Sequence, residues 1–157
     1  PNVSVCDIDD AVKEAVKKFR FRKFETNSAL ILKVDRQAQV ISVDNEIEIS
    51  GLDELQDYLP SHEPRYVVYT CKLEHRDGRI SFPMCFIYIT PRDCQTDLQI
   101  MYAGTKLALQ KEVDLSHVYE VRELDELTDE WRNHKMIHSN FIFYQKIYVY
   151  LSKQIVN

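Results

Sequence analysis

Histidine, cysteine and carboxylate side chains are the residue types that would carry catalysis or bind a metal, and their spacing in this chain favours neither. His134 and His138 stand four residues apart and would share one face of a helix, the grip of a two-point metal site. No HExxH surrounds them and no third ligand is evident, so a solvent-facing pair is the plainer reading. Cys71 and His75 lie at even spacing on a strand-like run and its turn, where they would share a face. A nucleophilic pair needs a thiol of lowered pKa beside the imidazole, and a buried structural thiol accounts for Cys71 equally simply. Cys6, Cys85 and Cys94 complete the cysteines without any CxxC pair, which reads as reduced thiols in a cytosolic protein. The carboxylates of "DIDD" and "DELTDE" sit at expected helix starts, where the helix dipole favours negative charge. The three glycines, Gly51, Gly78 and Gly104, build neither a GxxxxGK[ST] phosphate loop nor a GxGxxG turn, and no GxSxG elbow is present. The expectation is a protein that is not an enzyme and uses no cofactor or metal, with a small thiol enzyme as the alternative of another class.

What remains is surface. "KKFRFRKF" places Lys17, Lys18, Arg20, Arg22 and Lys23 within seven residues, and "HRDGR" adds Arg76 and Arg79 at a hairpin tip. A cationic helix end and a soluble turn explain part of this charge. Docking to an acidic protein surface or to an anionic lipid headgroup explains the rest. The chain as a whole has a net charge of −5, which argues against a general nucleic-acid binder.

The elements that would position these residues follow from periodicity. A chain of 157 residues, 45% apolar and 29% charged, suits one soluble domain. No apolar run approaches the ~18 residues of a membrane span, and the first twenty residues hold no secretory signal. Asp7 is expected to cap a helix to about Arg20, with Ile8, Val12, Ala15, Val16 and Phe19 on one stripe. "SALILKVD" and "QVISVD" read as a hairpin. Ser50 opens a short helix that buries Leu52, Leu55 and Leu59 and stops at Pro60. Two long strands, "RYVVYTCKLEH" and "RISFPMCFIYIT", are apolar on both faces, with a bulge or an unpaired edge expected at Pro83. A helix from near Asp93 or Thr96 carries "QIMYAGTKLALQKEV". "SHVYEVR" then returns as a strand parallel to its predecessor, and "ELDELTDEWRNHK" forms a last helix with Leu124, Leu127 and Trp131 on one side. The sum is an α/β (mixed α+β) fold, a central mixed sheet with helices on both faces.

"KFRFRK", "PRYVVYTCKLEHRDGRISFPMCFIYITP" and "QIMYAGTK" resemble the glia maturation factor branch of the actin-depolymerising-factor homology (ADF/cofilin-like) family, over about Val5 to Lys135. The resemblance implies the family's sandwiched mixed sheet. It also implies that the long helix enters the barbed-end groove of an actin-like subunit, with Met101, Gly104 and Lys106 in contact, Met101 and Tyr102 offering the apolar part with one of the two facing the core, and Gly104 allowing close backbone approach. Severing relatives generally carry lysines where this chain has Asp97 and Gln99, a departure that weakens docking to actin itself. The implied partner is the actin-related protein 2/3 complex, together with actin at branch junctions; the implied action is inhibition of nucleation and debranching of filament networks. Arg76 and Arg79 belong to a second surface in this reading, and Arg20, Arg22 and Lys23 to a charge-assisted docking cluster. The expected location is cytoplasmic, in the actin-rich cell cortex. The alternative is an actin-binding and severing protein of the ADF/cofilin type.

Residues 136–157 have no counterpart in that resemblance and form an additional apolar C-terminal segment after a 1–135 domain. Ile137, Phe141, Tyr144, Tyr148, Leu151 and Ile155 keep a heptad spacing, while "KIYVYL" also alternates as a strand. The segment is expected to be structured, either packed on the domain or forming a contact surface for another chain.

Overall fold

The computed structural model describes residues 6–21, 26–115, 117–135, 151 and 153–155. The chain runs β1 (Asp7–Ile8), α1 (Asp10–Phe21), β2 (Asn27–Asp35), β3 (Val40–Ile49), a 3-10 turn (Leu52–Tyr58), β4 (Arg65–Thr70), β5 (Leu73–Glu74), β6 (Ile80–Ser81), β7 (Met84–Ile89), α2 (Thr96–Val113), β8 (Val118–Val121), a second 3-10 turn (Leu124–Glu126) and a helix over 129–135. Six strands form one mixed sheet in the order β1-β3-β2-β4-β7-β8. The two outer pairings, β1 with β3 and β7 with β8, are parallel; the inner ones are antiparallel. The expected strand–helix–strand crossover through α2 is therefore present.

Alternation along β4 and β7 divides the core. Tyr66, Val68, Phe86 and Tyr88 face a cluster that also holds Val12, Val16 and Phe19 of α1 and Leu98, Met101, Tyr102, Leu109 and Val113 of α2. Val67, Tyr69, Cys85 and Ile87 face the opposite side, covered by Leu52, Leu55 and Leu59 and by Leu127, with Leu124 and Trp131 packed against them. Burial on both faces is why these strands read as nearly continuous apolar runs. Both long helices share one face. The other face is roofed by shorter pieces, tied down where Leu52 N donates to Asp129 Oδ1 (3.1 Å) and Gln56 Nε2 to the Leu127 carbonyl (2.8 Å).

Two local expectations change and a third is met. The first helix is capped by Asp9, not Asp7: Ala11 N donates to Asp9 Oδ1 at 3.1 Å. Asp7 is instead paired as a strand with Val40. The last helix is broken in two. Thr128 Oγ1 accepts from Trp131 N at 3.1 Å and restarts it, so Leu124 sits in a separate 3-10 turn and Leu127 in the link. At Pro83, which has no N–H to donate, the long hairpin divides; beyond it, β5 and β6 leave the main sheet as a separate two-stranded ribbon.

Candidate partner-binding face

Helix α2 is held from beneath by polar contacts as well as by packing. Tyr102 Oη accepts from Val34 N at 2.9 Å, and Tyr66 Oη donates to the Tyr102 carbonyl. Thr105, fully buried, donates to the Met101 carbonyl (2.8 Å) and accepts from Cys6 N (3.0 Å). These bonds, with Leu98, Met101, Leu109 and Val113 buried, fix the rotation of the helix about its axis. The side turned to water then carries Ile100 (50% exposed), Ala103 and Leu107 (60% exposed) at i, i+3 and i+7. Gly104 and Ala108 lie half-buried beside them. The result is a low apolar strip two helical turns long, on a rigid element.

Its margins are charged. Arg36, in the β2–β3 turn, pairs with the Asp97 carboxylate through Nη2 and donates from Nη1 to Gln95 Oε1 at 2.8 Å. Asp97 therefore presents a carboxylate already engaged by a guanidinium. Lys106 does not extend from the strip; its ammonium lies over the Tyr88 ring, 5.4 Å from the centroid.

The residues singled out from sequence separate on this structure. Met101, expected to make apolar contact, is 9% exposed and belongs to the core, as does Tyr102 at 1%. The physical reason is the rotation just described: the stripe facing the sheet runs through 98, 101, 102, 105, 109 and 113. Arg20, expected in a docking cluster, reaches instead to the C-terminal end of α2. Its Nη2 donates to the Val113 carbonyl and, at 3.2 Å, to that of Asp114, where the chain turns left-handed (φ 50°). A cation there satisfies carbonyls that lack helical partners and complements the helix dipole. Arg22 and Lys23 lie outside the described residues. Arg76 and Arg79 are exposed on the β5–β6 ribbon, whose turn uses Gly78 at φ +86°. Asp77 accepts from both Arg79 N (3.1 Å) and Arg79 Nε (2.6 Å), and these bonds hold its carboxyl below the usual range. Ile80 and Phe82 stand exposed beside them.

Sequence reasoning missed Ile100, Ala103 and Leu107. The available signal was a surplus: α2 has more apolar residues than one buried stripe needs. Nothing in the thiols points to a nucleophile. Burial pushes Cys71 upward and Cys85 up to about 12, and His75 Nε2 is bonded to Ser81 Oγ at 2.8 Å. His134 is exposed and His138 lies outside the described residues.

Residues 5–136 match the family model of cofilin/tropomyosin-type actin-binding proteins. The chain is 61% identical over 132 residues to glia maturation factor of Drosophila melanogaster, a match that covers 84% of this chain and 96% of the relative. The chain belongs to this family, in its glia maturation factor branch. Glia maturation factor beta of Homo sapiens is 42% identical over 132 residues, covering 84% of this chain and 93% of the relative. The solution structure of glia maturation factor from Caenorhabditis elegans superposes with a TM-score of 0.74 at 37% identity, covering 86% of this chain and 98% of that one. Streptomyces griseoflavus cofilin shares the fold at a TM-score of 0.72 and 19% identity, over 83% and 96% of the two chains. The architecture is thus the actin-depolymerising-factor homology fold, and the chain is a member of a family of actin-binding proteins.

Proposed function

We propose that the chain binds the actin-related protein 2/3 complex, inhibits actin nucleation by it and promotes debranching of filament networks, in the cytoplasm near the actin-rich cortex. It acts by occupying a surface and makes or breaks no covalent bond. The observation that carries this reading is the solvent-facing strip of Ile100, Ala103 and Leu107 on a helix locked to the sheet. Exposed apolar residues aligned on a rigid helix are what an apolar groove on a partner selects. Membership in the glia maturation factor branch supports the choice of an actin-related target. The Arg36–Asp97 pair replaces a cationic margin with a neutralised one, which favours the complex over plain actin filaments.

Gly104 lies beside the strip, where the absence of a side chain lets a partner approach the backbone; that use offsets about 1 kcal/mol of helix propensity. The β5–β6 ribbon, with Arg76, Arg79, Ile80 and Phe82, supplies the second contact, against the first actin subunit of the branch.

Branch disassembly followed by microscopy tests the reading. The chain accelerates loss of branches, and a folded Gly104→Phe variant does not. If that variant prunes networks at the wild-type rate, α2 is not the docking helix. Strong pelleting with pure actin filaments, without the complex, would favour a severing protein of the ADF/cofilin type instead.

A further inference from the structure

Arg65 opens β4, and its guanidinium lies beneath the first half of α2. The side chain is 11% exposed; Nε donates to Asp44 Oδ2 at 3.1 Å and Nη2 pairs with Glu63 Oε2 at 3.1 Å. Nη1 donates to the Pro64 carbonyl at 2.8 Å and to Tyr102 Oη at 3.4 Å. Strand β3, the segment entering β4 and helix α2 thus meet on one planar cation. Asp44 is delivered by a break in register. Ile31 pairs with Asn45 and Leu32 with Val43, so Asp44 is the extra residue of a bulge, which re-aims its side chain. Tyr102 is delivered by the end of a ladder. The pairing of β2 with β4 stops where Leu32 meets Tyr66, and Val34 N, beyond that rung, donates to Tyr102 Oη instead. The hydroxyl that Arg65 holds is therefore one that sets the rotation of α2. Ile100 and Ala103 stand on the same turn as Tyr102.

We propose that Arg65 is the positioning residue of the docking face. It touches no partner; by fixing Tyr102 Oη it fixes the angle at which α2 presents Ile100, Ala103 and Leu107. The inference rests on the proposed function, because the quantity affected is affinity for the actin-related protein 2/3 complex. A largely buried ion pair adds little stability over an apolar side chain of similar volume, and what it supplies here is a single geometry. The planar fork matters more than the charge. Lysine would keep one positive charge yet could not serve Asp44, Glu63 and Tyr102 in one plane. Arg132 is the internal comparison. Its side chain is also 11% exposed, pairs with Asp129 Oδ1 at 3.2 Å and donates to a tyrosine hydroxyl, Tyr69 Oη, at 3.4 Å. It lies on the opposite face of the sheet and holds the helix over 129–135, not α2.

Competition binding of the full chain to the complex, read beside melting temperature and amide spectra, is the test. Arg65→Met weakens binding about tenfold, within the range exerted by residues that do not touch a ligand. It keeps the melting temperature within about 4 °C, since the Asp44 and Glu63 carboxylates remain open to water. Amide resonances of Val34 and of residues 100–104 shift in the free variant, which a uniform loss of stability does not produce. Tyr102→Phe weakens binding to a similar extent, and adding Arg65→Met to it weakens binding no further, because the two act through one oxygen. Arg132→Met keeps affinity within about threefold. Arg65→Lys loses about threefold, and it carries the test should the Arg65→Met chain not fold. Wild-type affinity in the Arg65 variants overturns the proposal. So does additivity of Arg65→Met with Tyr102→Phe, or an equal loss in Arg132→Met; each replaces positioning by direct contact or by general destabilisation. A wild-type chain that does not bind the complex overturns the proposed function itself. Loss in Ile100→Asp with none in the Arg65 variants leaves that function standing and removes only the role of Arg65.

Discussion

The two long helices lie on the same face of one sheet and use their surfaces differently. In α1, Val12, Val16 and Phe19 are buried, while Lys13, Glu14, Lys17 and Lys18 face water. One side packs and the other dissolves. In α2, Leu98, Met101, Tyr102, Leu109 and Val113 are buried, and the opposite side still carries Ile100, Ala103 and Leu107. A solvated helix gains nothing from an apolar outer side, and the proposed function takes the surplus on α2 as the surface a partner covers. The contrast also separates two placements of leucine on one helix: Leu109 lies in the core, and Leu107 lies on the side for which the proposed function assigns binding.

That separation predicts opposite outcomes for neighbouring substitutions. Leu109→Ala, which empties a fully buried site, is expected to cost about 2–5 kcal/mol in denaturant unfolding. Leu107→Ala should change stability by no more than about 0.5 kcal/mol, since its side chain is mostly in water. If both variants lose stability equally, the two sides of α2 are not distinct. Binding should show the reverse order. Ile100→Asp and Leu107→Asp each weaken association with the actin-related protein 2/3 complex by about 2 kcal/mol, roughly thirtyfold, as central apolar contacts do. The same substitution at Lys17, on the outer side of α1, leaves that affinity within about threefold, measured by competition binding.

Arg20 sharpens the comparison where the helices meet. Arg20→Ala removes the donor to the Val113 and Asp114 carbonyls at the end of α2 and should cost about 1 kcal/mol, read as a lowered denaturation midpoint. A loss of binding without that stability change would return Arg20 to the docking surface. Asp97→Lys sets a cation beside Arg36 and alters stability by less than about 1 kcal/mol, because both side chains are half-exposed. It should nevertheless raise pelleting with pure actin filaments if the engaged carboxylate is what disfavours them.

The smallest effect lies on the β5–β6 ribbon. The folded pKa of Asp77 is held below its unfolded value, mainly by the Arg79 N–H and then by the Arg79 side chain. Its contribution is therefore present above the ordinary carboxylate range and lost as pH falls through the depressed value. In acid the Arg79 Nε–H resonance should move toward its free position while the α2 amides stay unchanged. Simultaneous loss of both would mean that the ribbon and α2 unfold together.

The legible parts of this chain were those whose pattern has one physical meaning. The α1 stripe, the buried strands β4 and β7, the crossover into a parallel β8 and the disturbance at Pro83 follow from period, β-branching and the missing N–H of proline. The last helix was misjudged at Thr128, since a mid-run threonine reads as a helical residue until its hydroxyl is seen bonded to Trp131 N. The family and its fold were recognisable in long ordered motifs, and residues 5–136 match the family model.

Sequence alone determined the type of the long segments, α1, α2 and the strands β2, β3, β4, β7 and β8, and it contains the apolar surplus of α2, because these depend on the order of side chains along the chain. The assignment of α2 residues to its two sides was decided only by tertiary structure. Helical period fixes which residues share a side but not which side meets the sheet. That choice rests on Tyr102 reaching Val34 N and Thr105 reaching Cys6 N, contacts across 68 and 99 residues of chain. They turn Met101 inward and leave Ile100 and Leu107 facing water.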